Sequence, residues 1–112
     1  MMATIEDVRI VFVTCPPGFG PKLLRRLIEE RLVAGGNILS GVRSMYRWKE
    51  EIADEPEEVV FMETASDRVP AMMARVRELH PYEVPKVLAF SPKEGLTEYL
   101  GWVLTETRES QT

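Results

Sequence analysis

The sequence predicts an α+β protein in which helices pack on a face of one antiparallel β-sheet. Two observations lead to this class. Short runs rich in β-branched residues alternate with stretches of helical periodicity in the order β-α-β-β-α-β, and one more amphipathic stretch follows them. The second and third strand segments are joined by a short acidic turn, which makes them a hairpin and therefore antiparallel.

The first strand and the first helix follow from a β-branched run and an apolar stripe. Val8–Thr14 scarcely alternates between apolar and polar residues, which predicts a strand covered on both faces. The segment Cys15–Gly18 ends this strand, and Pro21 suits the first turn of a helix. We expect Gly35-Gly36 to end that helix. Its apolar positions, at helical spacing, are Leu24, Leu27, Ile28 and Leu32.

The middle of the chain predicts a long β-hairpin. Asn37–Lys49 forms its first strand, and Gly41 within it indicates a β-bulge or a close backbone approach. Ile52–Pro56 reads as the turn, and Val59–Thr64 forms the return strand. A hairpin of this length exceeds what a small core can cover, so its aromatic residues favour association with another chain. One side of the first strand carries Val42, Ser44, Tyr46 and Trp48.

A second helix, a fourth strand and a last helix complete the pattern. Ser66 or Asp67 can cap the second helix, whose first turn tolerates Pro70. Because proline disfavours helical backbone in the residue before it, Pro81 must end this helix at about His80. The apolar stripe of the second helix consists of Val69, Met72, Met73, Val76 and Leu79.

The remaining predicted elements are a fourth strand and a last helix. Lys86–Phe90 is the fourth strand, and the last helix carries an apolar stripe that ends before a polar tail from Thr105. The order is the split βαβ, or ferredoxin-like, arrangement with an extra C-terminal helix. We expect a single domain over residues 1–112, with its core at about 8–104. The stripe of the last helix is Leu96, Leu100 and Val103.

The composition excludes several classes of function. A net charge of -4 argues against a nucleic-acid or anionic-membrane partner, since both need clustered basic charge. The one cysteine, Cys15, excludes an internal disulfide and a multi-thiolate metal centre within one chain. No apolar run approaches the roughly 20 residues of a membrane span. Glu6 and Asp7 lie where an export signal would carry positive charge, so we expect a cytoplasmic protein.

The segment Leu79–Pro85 carries the most informative side chains. The only histidine, His80, comes directly before Pro81, and Tyr82 and Glu83 follow on the same stiff connection. An imidazole, a phenol and a carboxylate on one rigid segment can form a ligand site. In that case we expect the His80 and Glu83 heads to face a solvated cleft, so truncating either should cost much less stability than truncating Tyr82. The alternative is a rigid turn whose tyrosine and valine side chains fill the core.

Two further groups of residues each have a structural alternative. Cys15 and His80 could form a thiolate–imidazole pair or supply two ligands to a soft metal. The alternative is that Cys15 is a small buried apolar residue. An acidic group at the hairpin could bind a hard cation, or it could be a solvated hairpin tip. This acidic group consists of Glu50, Glu51, Asp54, Glu55, Glu57 and Glu58.

Three passages of the chain resemble the CutA family, the small proteins named for divalent-cation tolerance. Residues 29–38 resemble the family's "EERLAACVNI" block, and Gly41–Lys49 resembles its "PGVTSIYRWKG" block. Leu79–Val87 resembles its "LHPYEVPEI" block. The resemblance extends from about residue 8 to residue 102, which is nearly the whole domain.

The resemblance implies a ferredoxin-like fold and a tight homotrimer. Hairpin strands of neighbouring subunits would pair edge to edge, as in the P-II signalling proteins, with Tyr46 and Trp48 at the interface. It also implies a role in tolerance of copper or other divalent metals, with a metal-binding activity and no established catalysis. In this chain the candidate metal ligands are His80 and Cys15. A ligand cleft between subunits would contain Tyr46, Glu63, His80, Tyr82 and Glu83.

Three hypotheses for the function follow. The first is a non-enzymatic, trimeric protein of divalent-metal tolerance that acts at its subunit clefts. The second is a signalling or adaptor module that binds a small metabolite or a partner protein, as the P-II relatives do. The third is a thiol-dependent enzyme that uses Cys15.

Overall fold

The computed structural model describes residues 4–108, which form a four-stranded antiparallel sheet and three α-helices. The sheet order is β2-β3-β1-β4, so β2 and β4 are its edges. This confirms the α+β class and the βαββαβ order with an added helix. The strands are β1 (Val8–Cys15), β2 (Gly35–Trp48), β3 (Glu51–Ala65) and β4 (Val87–Phe90). The helices are α1 (Gly20–Glu29), α2 (Val69–Leu79) and α3 (Thr97–Glu106).

The two faces of the sheet pack against different helices. Side chains alternate along a strand, so Val11 and Val13 of β1 face α1 and α2, whereas Val8 faces the other side and packs against α3. Between α3 and the far end of the sheet this second face is open. We call it the open face. The core under α1 and α2 includes Leu23, Leu27, Val60, Met62, Met72 and Val76.

The first helix ends earlier than expected, so the prediction for Gly35-Gly36 is wrong. Arg31 takes a left-handed conformation with φ 58°, and the Leu32 N–H donates to the Leu27 carbonyl at 2.9 Å. The two glycines instead begin β2. A Cβ on Gly36 would lie 2.3 Å from the Phe61 carbonyl oxygen, so this strand position requires glycine.

The hairpin turn lies earlier than predicted, at Lys49 and Glu50. Both residues have positive φ, 50° and 70°, as a tight two-residue hairpin turn requires. Ile52–Pro56, predicted as the turn, belongs to β3. Pro56 is tolerated there because β1 pairs with β3 only as far as Glu58, which leaves the proline with a single partner strand. The predicted bulge is confirmed: the β2–β3 register shifts between Leu39 and Val42.

The second helix begins without the predicted side-chain cap. Ser66 and Asp67 lie in a short 3-10 turn, and the residue that precedes α2 is Arg68. The prediction of the helix end is confirmed, because α2 stops at Leu79 and His80 is extended with ψ 135°. At the chain ends, α3 continues to Glu106, past the predicted start of the polar tail. Residues 1–3 and 109–112 of the predicted start and tail lie outside the described range.

Candidate ligand cleft

A cavity of about 690 Å³ lies between the hairpin and the segment that follows α2. Three of the predicted cleft residues, Tyr46, Tyr82 and Glu83, line it. Glu63 and His80, the other two, are not among its lining residues. Trp48, predicted at a subunit interface, also borders the cavity. The remaining lining residues are Thr14, Ser44, Met45, Glu55, Glu57, Pro81, Val84 and Lys86.

Two tyrosine–carboxylate pairs form the polar wall of the cavity. The Tyr82 hydroxyl donates to Glu57 Oε2 at 2.6 Å, and the Tyr46 hydroxyl donates to Glu55 Oε2 at 3.1 Å. Burial, and then the hydrogen bond to Glu57, raises the pKa of Tyr82 well above its usual value. Burial and Glu55 raise the pKa of Tyr46 in the same way. Both phenols therefore stay protonated and serve as donors to the carboxylates.

Glu57 is the unusual member of this wall. It is only 3% exposed, and charged side chains are rarely buried to this extent without full pairing. Its Oε2 accepts from Tyr82, but none of residues 4–108 donates to its Oε1. None of the buried side-chain oxygens in residues 4–108 lacks a hydrogen-bond partner, so Oε1 is the part of this carboxylate that reaches the open space of the cavity. An anionic oxygen in that position is a strong acceptor for a ligand donor.

His80 contacts this wall through Tyr82 but does not line the cavity, and its role is structural. Its Nε2 donates to the Thr14 carbonyl at 2.8 Å, and its Nδ1 accepts from the Tyr82 N–H at 3.1 Å. These two bonds define the neutral tautomer with the proton on Nε2. The imidazole is 6% exposed and lies 4.7 Å from the Tyr82 ring, centroid to centroid. The expectation that its head faces a solvated cleft is wrong, because both nitrogens hold neighbouring backbone in place.

Cys15 is fully buried at the end of β1. Burial, followed by the nearby charges of Glu58 and Glu57, raises the pKa of its thiol to about 11. The thiol therefore stays protonated at neutral pH, whereas nucleophilic and metal-ligating cysteines are thiolates. Within residues 4–108, no three His, Cys, Asp or Glu side chains are grouped to hold a metal ion. Metal binding by His80 and Cys15 would require the hydrogen bonds of His80 to break and the thiol to ionise.

Glu63 lies at the other end of the sheet, beneath α3. It accepts a hydrogen bond from the Tyr99 hydroxyl at 2.7 Å, and the Tyr99 ring stacks on Trp102 at 5.6 Å. Burial, and then the bond to Glu63, raises the pKa of Tyr99 to about 12. The role of Glu63 in this structure is to anchor the last helix.

The acidic residues predicted as a solvated hairpin tip divide into separate roles. Asp54 makes a bidentate pair with Arg43 across the hairpin at 2.8 and 2.6 Å. Glu58 is buried, and its Oε1 accepts from the Gly20 N–H at 2.9 Å at the start of α1. Glu55 and Glu57 belong to the cavity. The interpretation as a solvated tip is wrong for Glu57 and Glu58, which are buried because the turn lies at Lys49-Glu50 and β3 carries them back toward the core. Glu55 remains exposed.

Sequence reasoning grouped Glu55 and Glu57 with the acidic hairpin residues and missed that they belong to the cleft. In the β2–β3 register they lie opposite Ser44 and Val42, on the same face as Tyr46. Strand parity could have indicated this, since residues 44, 46, 55 and 57 share a face once the turn is placed at 49-50. Placing the turn at Ile52–Pro56 concealed the signal.

Comparison with known proteins identifies related sequences. The family model described as "CutA1 divalent ion tolerance protein" matches residues 9–106. The divalent-cation tolerance protein CutA of Thermus thermophilus is 36% identical over 99 residues, which is 88% of this chain and 96% of that protein. Protein CutA of Mus musculus is 38% identical over 98 residues, 87% of this chain but only 55% of the mouse protein.

Solved structures agree with the sequence relatives. CutA from Xylella fastidiosa superimposes with a TM-score of 0.87 at 37% identity, covering 91% of this chain and 99% of the other. A PII-like protein CutA from Nostoc sp. PCC 7120 superimposes with a TM-score of 0.84 at 33% identity, covering 89% and 97%. Within residues 4–108, no helix is long and apolar enough to cross a membrane. The chain belongs to the CutA1 family of divalent ion tolerance proteins.

Proposed function

We propose that this chain is a non-enzymatic homotrimer that serves in tolerance of divalent metals such as copper, and that it acts by binding a ligand in the cleft between the hairpin and the segment after α2. Family membership supports the metal-tolerance role. The observation that carries the proposal is the 690 Å³ cavity with its buried, half-partnered Glu57. A cytoplasmic location remains part of the proposal, and cell fractionation tests it.

The open face of the sheet supports assembly. Phe12 packs edge-on against Phe61 with 5.1 Å between ring centroids, and Leu88 pairs with Phe12 on the neighbouring strand. Leu88 and Phe90 are 55% and 47% exposed. Together with Phe12 and Phe61 they form an apolar patch, rather than single exposed apolar residues, and such patches often mark interaction sites. The 14-residue edge strand β2 also leaves backbone donors and acceptors free for pairing.

The trimer and the cleft involve the same part of the molecule. Tyr46 and Trp48 border the cavity and also project from the long hairpin, so a neighbouring subunit that docks there would help to close the cleft. The absence of catalysis is part of the proposal because the two candidate catalytic groups are otherwise engaged. The Cys15 thiol is buried and protonated, and both nitrogens of His80 are hydrogen-bonded.

A P-II-like signalling or adaptor module is the second candidate. It is favoured by the size of the cavity, which exceeds that of a metal ion, and by the likeness to the PII-like CutA of Nostoc. In that case the cleft would bind a small metabolite, and a partner protein would recognise the occupied trimer.

Calorimetric titration of the trimer separates the two candidates. Trp102→Phe leaves Trp48 as the only tryptophan, so its emission reports the cleft. Saturable binding of Cu(II) or Zn(II) accompanied by a Trp48 change supports metal binding there. Saturable binding of a nucleotide or another metabolite supports the module. If neither alters Trp48 emission, the cleft is not the functional site.

A further inference from the structure

We propose that the cleft takes an organic cation, a small molecule that carries an ammonium or guanidinium group, rather than a bare metal ion. This inference rests on the proposed function of the cleft as a ligand site, and it names the chemical class of the ligand.

The charge of the cavity favours a cation. Its lining includes three carboxylates, of Glu55, Glu57 and Glu83, and a single lysine, Lys86. The ammonium of Lys86 is already engaged, because its Nζ lies 4.7 Å from the ring centroid of Phe12. The Oε1 of Glu57 is therefore available to accept a hydrogen bond from a ligand. A positively charged donor would form the strongest such bond with it.

The tyrosine hydroxyls make the cavity unsuitable for an anion. Those of Tyr46 and Tyr82 donate their protons to Glu55 and Glu57, so they offer a ligand only acceptor lone pairs. Their rings and that of Trp48 remain as cavity walls. The negative faces of aromatic rings attract cations, and a combination of rings and carboxylates is a chemistry that recognises ammonium groups.

The protein's own lysine at the cavity rim already uses this chemistry. The Nζ of Lys49 lies 5.8 Å from the Trp48 ring centroid and 3.9 Å from Glu83 Oε2. An ammonium group thus sits between a ring and a carboxylate that both line the cavity. A ligand ammonium could replace it there or occupy the equivalent position next to Glu57 and Tyr82.

A bare metal ion fits the same cavity poorly. A hard cation needs several oxygen ligands that converge within about 2.6 Å of one point. Within residues 4–108, no three acidic, histidine or cysteine side chains are grouped in this way. A volume of about 690 Å³ instead suits a molecule of many atoms whose charged end reaches the carboxylates.

Matched probes test the charge requirement directly. Calorimetry on the Trp102→Phe trimer, with Trp48 emission recorded in parallel, would compare choline, 1,4-diaminobutane and agmatine with uncharged 3,3-dimethyl-1-butanol and anionic 3,3-dimethylbutanoate. The alcohol and the carboxylate have the shape of choline without its charge. We expect at least one cation to bind saturably and to change Trp48 emission, and both choline-shaped controls to bind at least about tenfold more weakly than that cation.

Three variants at the cleft and one control variant locate the effect. Glu57→Gln keeps the shape and the acceptor for Tyr82 but removes the charge, and it should weaken cation binding roughly tenfold. Glu55→Gln should also weaken it, and it provides the test if Glu57→Gln fails to fold. Lys49→Ala removes the competing ammonium and should strengthen binding. Glu94→Gln, at an exposed position outside the cavity, makes the same change in net charge and should have no effect.

The outcomes distinguish this inference from the proposed function. If the uncharged or anionic probe binds as well as the cations, or if the Glu55 and Glu57 variants bind cations normally, the cleft remains a ligand site but the cation inference is overturned. It is also overturned if only Cu(II) or Zn(II) changes Trp48 emission, which supports metal binding. If no probe and no metal alters the emission, both the inference and the proposed cleft function fail.

Discussion

At the scale of single residues, a relay of hydrogen bonds connects β1, the segment after α2 and the hairpin. His80 holds the Thr14 carbonyl and the Tyr82 N–H, and Tyr82 in turn donates to Glu57. Each bond fixes the orientation of the next side chain, so the Glu57 carboxylate is held at the cavity wall by groups that it does not contact. His80 therefore acts as a positioning residue.

His80→Ala should destabilise the protein by about 3 kcal/mol, because it leaves a buried carbonyl and a partly buried N–H without partners. From the sequence we expected this substitution to cost little, and the burial of His80 reverses that expectation. Urea denaturation followed by circular dichroism measures the loss. Glu83→Ala is the matched control on the same segment, since its side chain is 72% exposed, and it should change stability by less than about 0.5 kcal/mol. Equal losses in the two variants would contradict this role for His80.

The free energy of unfolding should fall at alkaline pH because the buried Cys15 thiol ionises. The folded protein holds the thiol proton more tightly than the unfolded chain, with a pKa of about 11 against an ordinary 9.0. The thiol's contribution is therefore complete below pH 9 and is lost as the pH rises toward 11. Unfolding free energies of the wild type and of Cys15→Ala, measured from pH 7 to pH 10.5, should converge above pH 9. A difference that stays constant with pH would show that the thiol does not titrate in this way.

At the scale of elements, the junction between α1 and β2 sets how closely the first helix approaches the sheet. Helix α1 ends through the left-handed Arg31, and the Thr64 hydroxyl donates to the Leu32 carbonyl at 2.7 Å. The chain then enters β2 through two glycines that pair with Glu63 and Met62. The absence of a side chain on Gly36 lets β2 lie against β3 below Leu24.

Gly36→Ala should destabilise the protein by more than about 2 kcal/mol, because its Cβ would overlap the Phe61 carbonyl oxygen at 2.3 Å and the backbone would have to move. Gly101→Ala is the control. It lies within α3 with no atom within 4 Å of the new Cβ, so it should stabilise by up to about 1 kcal/mol. Thermal unfolding of both variants measures the effects. If Gly36→Ala unfolds at the wild-type temperature, the junction has room for a side chain and this account of Gly36 is wrong.

At the scale of the whole molecule, the distribution of apolar surface points to assembly. The side of the sheet under α1 and α2 is filled with buried aliphatic residues, whereas the open face exposes Leu39, Leu88 and Phe90. The hairpin also exposes Trp48 on this face, and Met45 and Ile52 on its opposite face. A chain that remained monomeric would leave this surface in water.

The wild type should run as a trimer at micromolar concentration in light scattering, and Trp48→Glu or Phe90→Glu should weaken that state. Each substitution would place an unpaired charge in an apolar contact, which costs several kcal/mol. Ile28→Glu is the matched control, because Ile28 is 40% exposed on α1, away from the open face. It should leave the trimer intact. A wild-type monomer would refute the assembly proposal.

Local sequence signals predicted the elements well. Alternation and β-branched runs located the strands, Pro81 predicted the end of α2, and Gly41 predicted the bulge, since each depends on residues close in sequence. The turn was misplaced because acidic residues and Pro56 are typical of turns. In β3, Asp54 pairs with Arg43 across the hairpin, and Pro56 has a partner strand on one side only. The glycines of β2 were misread because their reason is a contact with Phe61 across the sheet.

The sequence by itself determined the order of elements, the long hairpin and the stiff segment with His80, Tyr82 and Glu83. It also carried the family resemblance, which the comparisons confirm. Only the tertiary structure decided the roles of the polar side chains. Tyr82 and Glu57 are 25 residues apart in sequence, and His80 and Thr14 are 66 apart. Burial and hydrogen bonding of such groups depend on packing between distant segments, which no local pattern encodes.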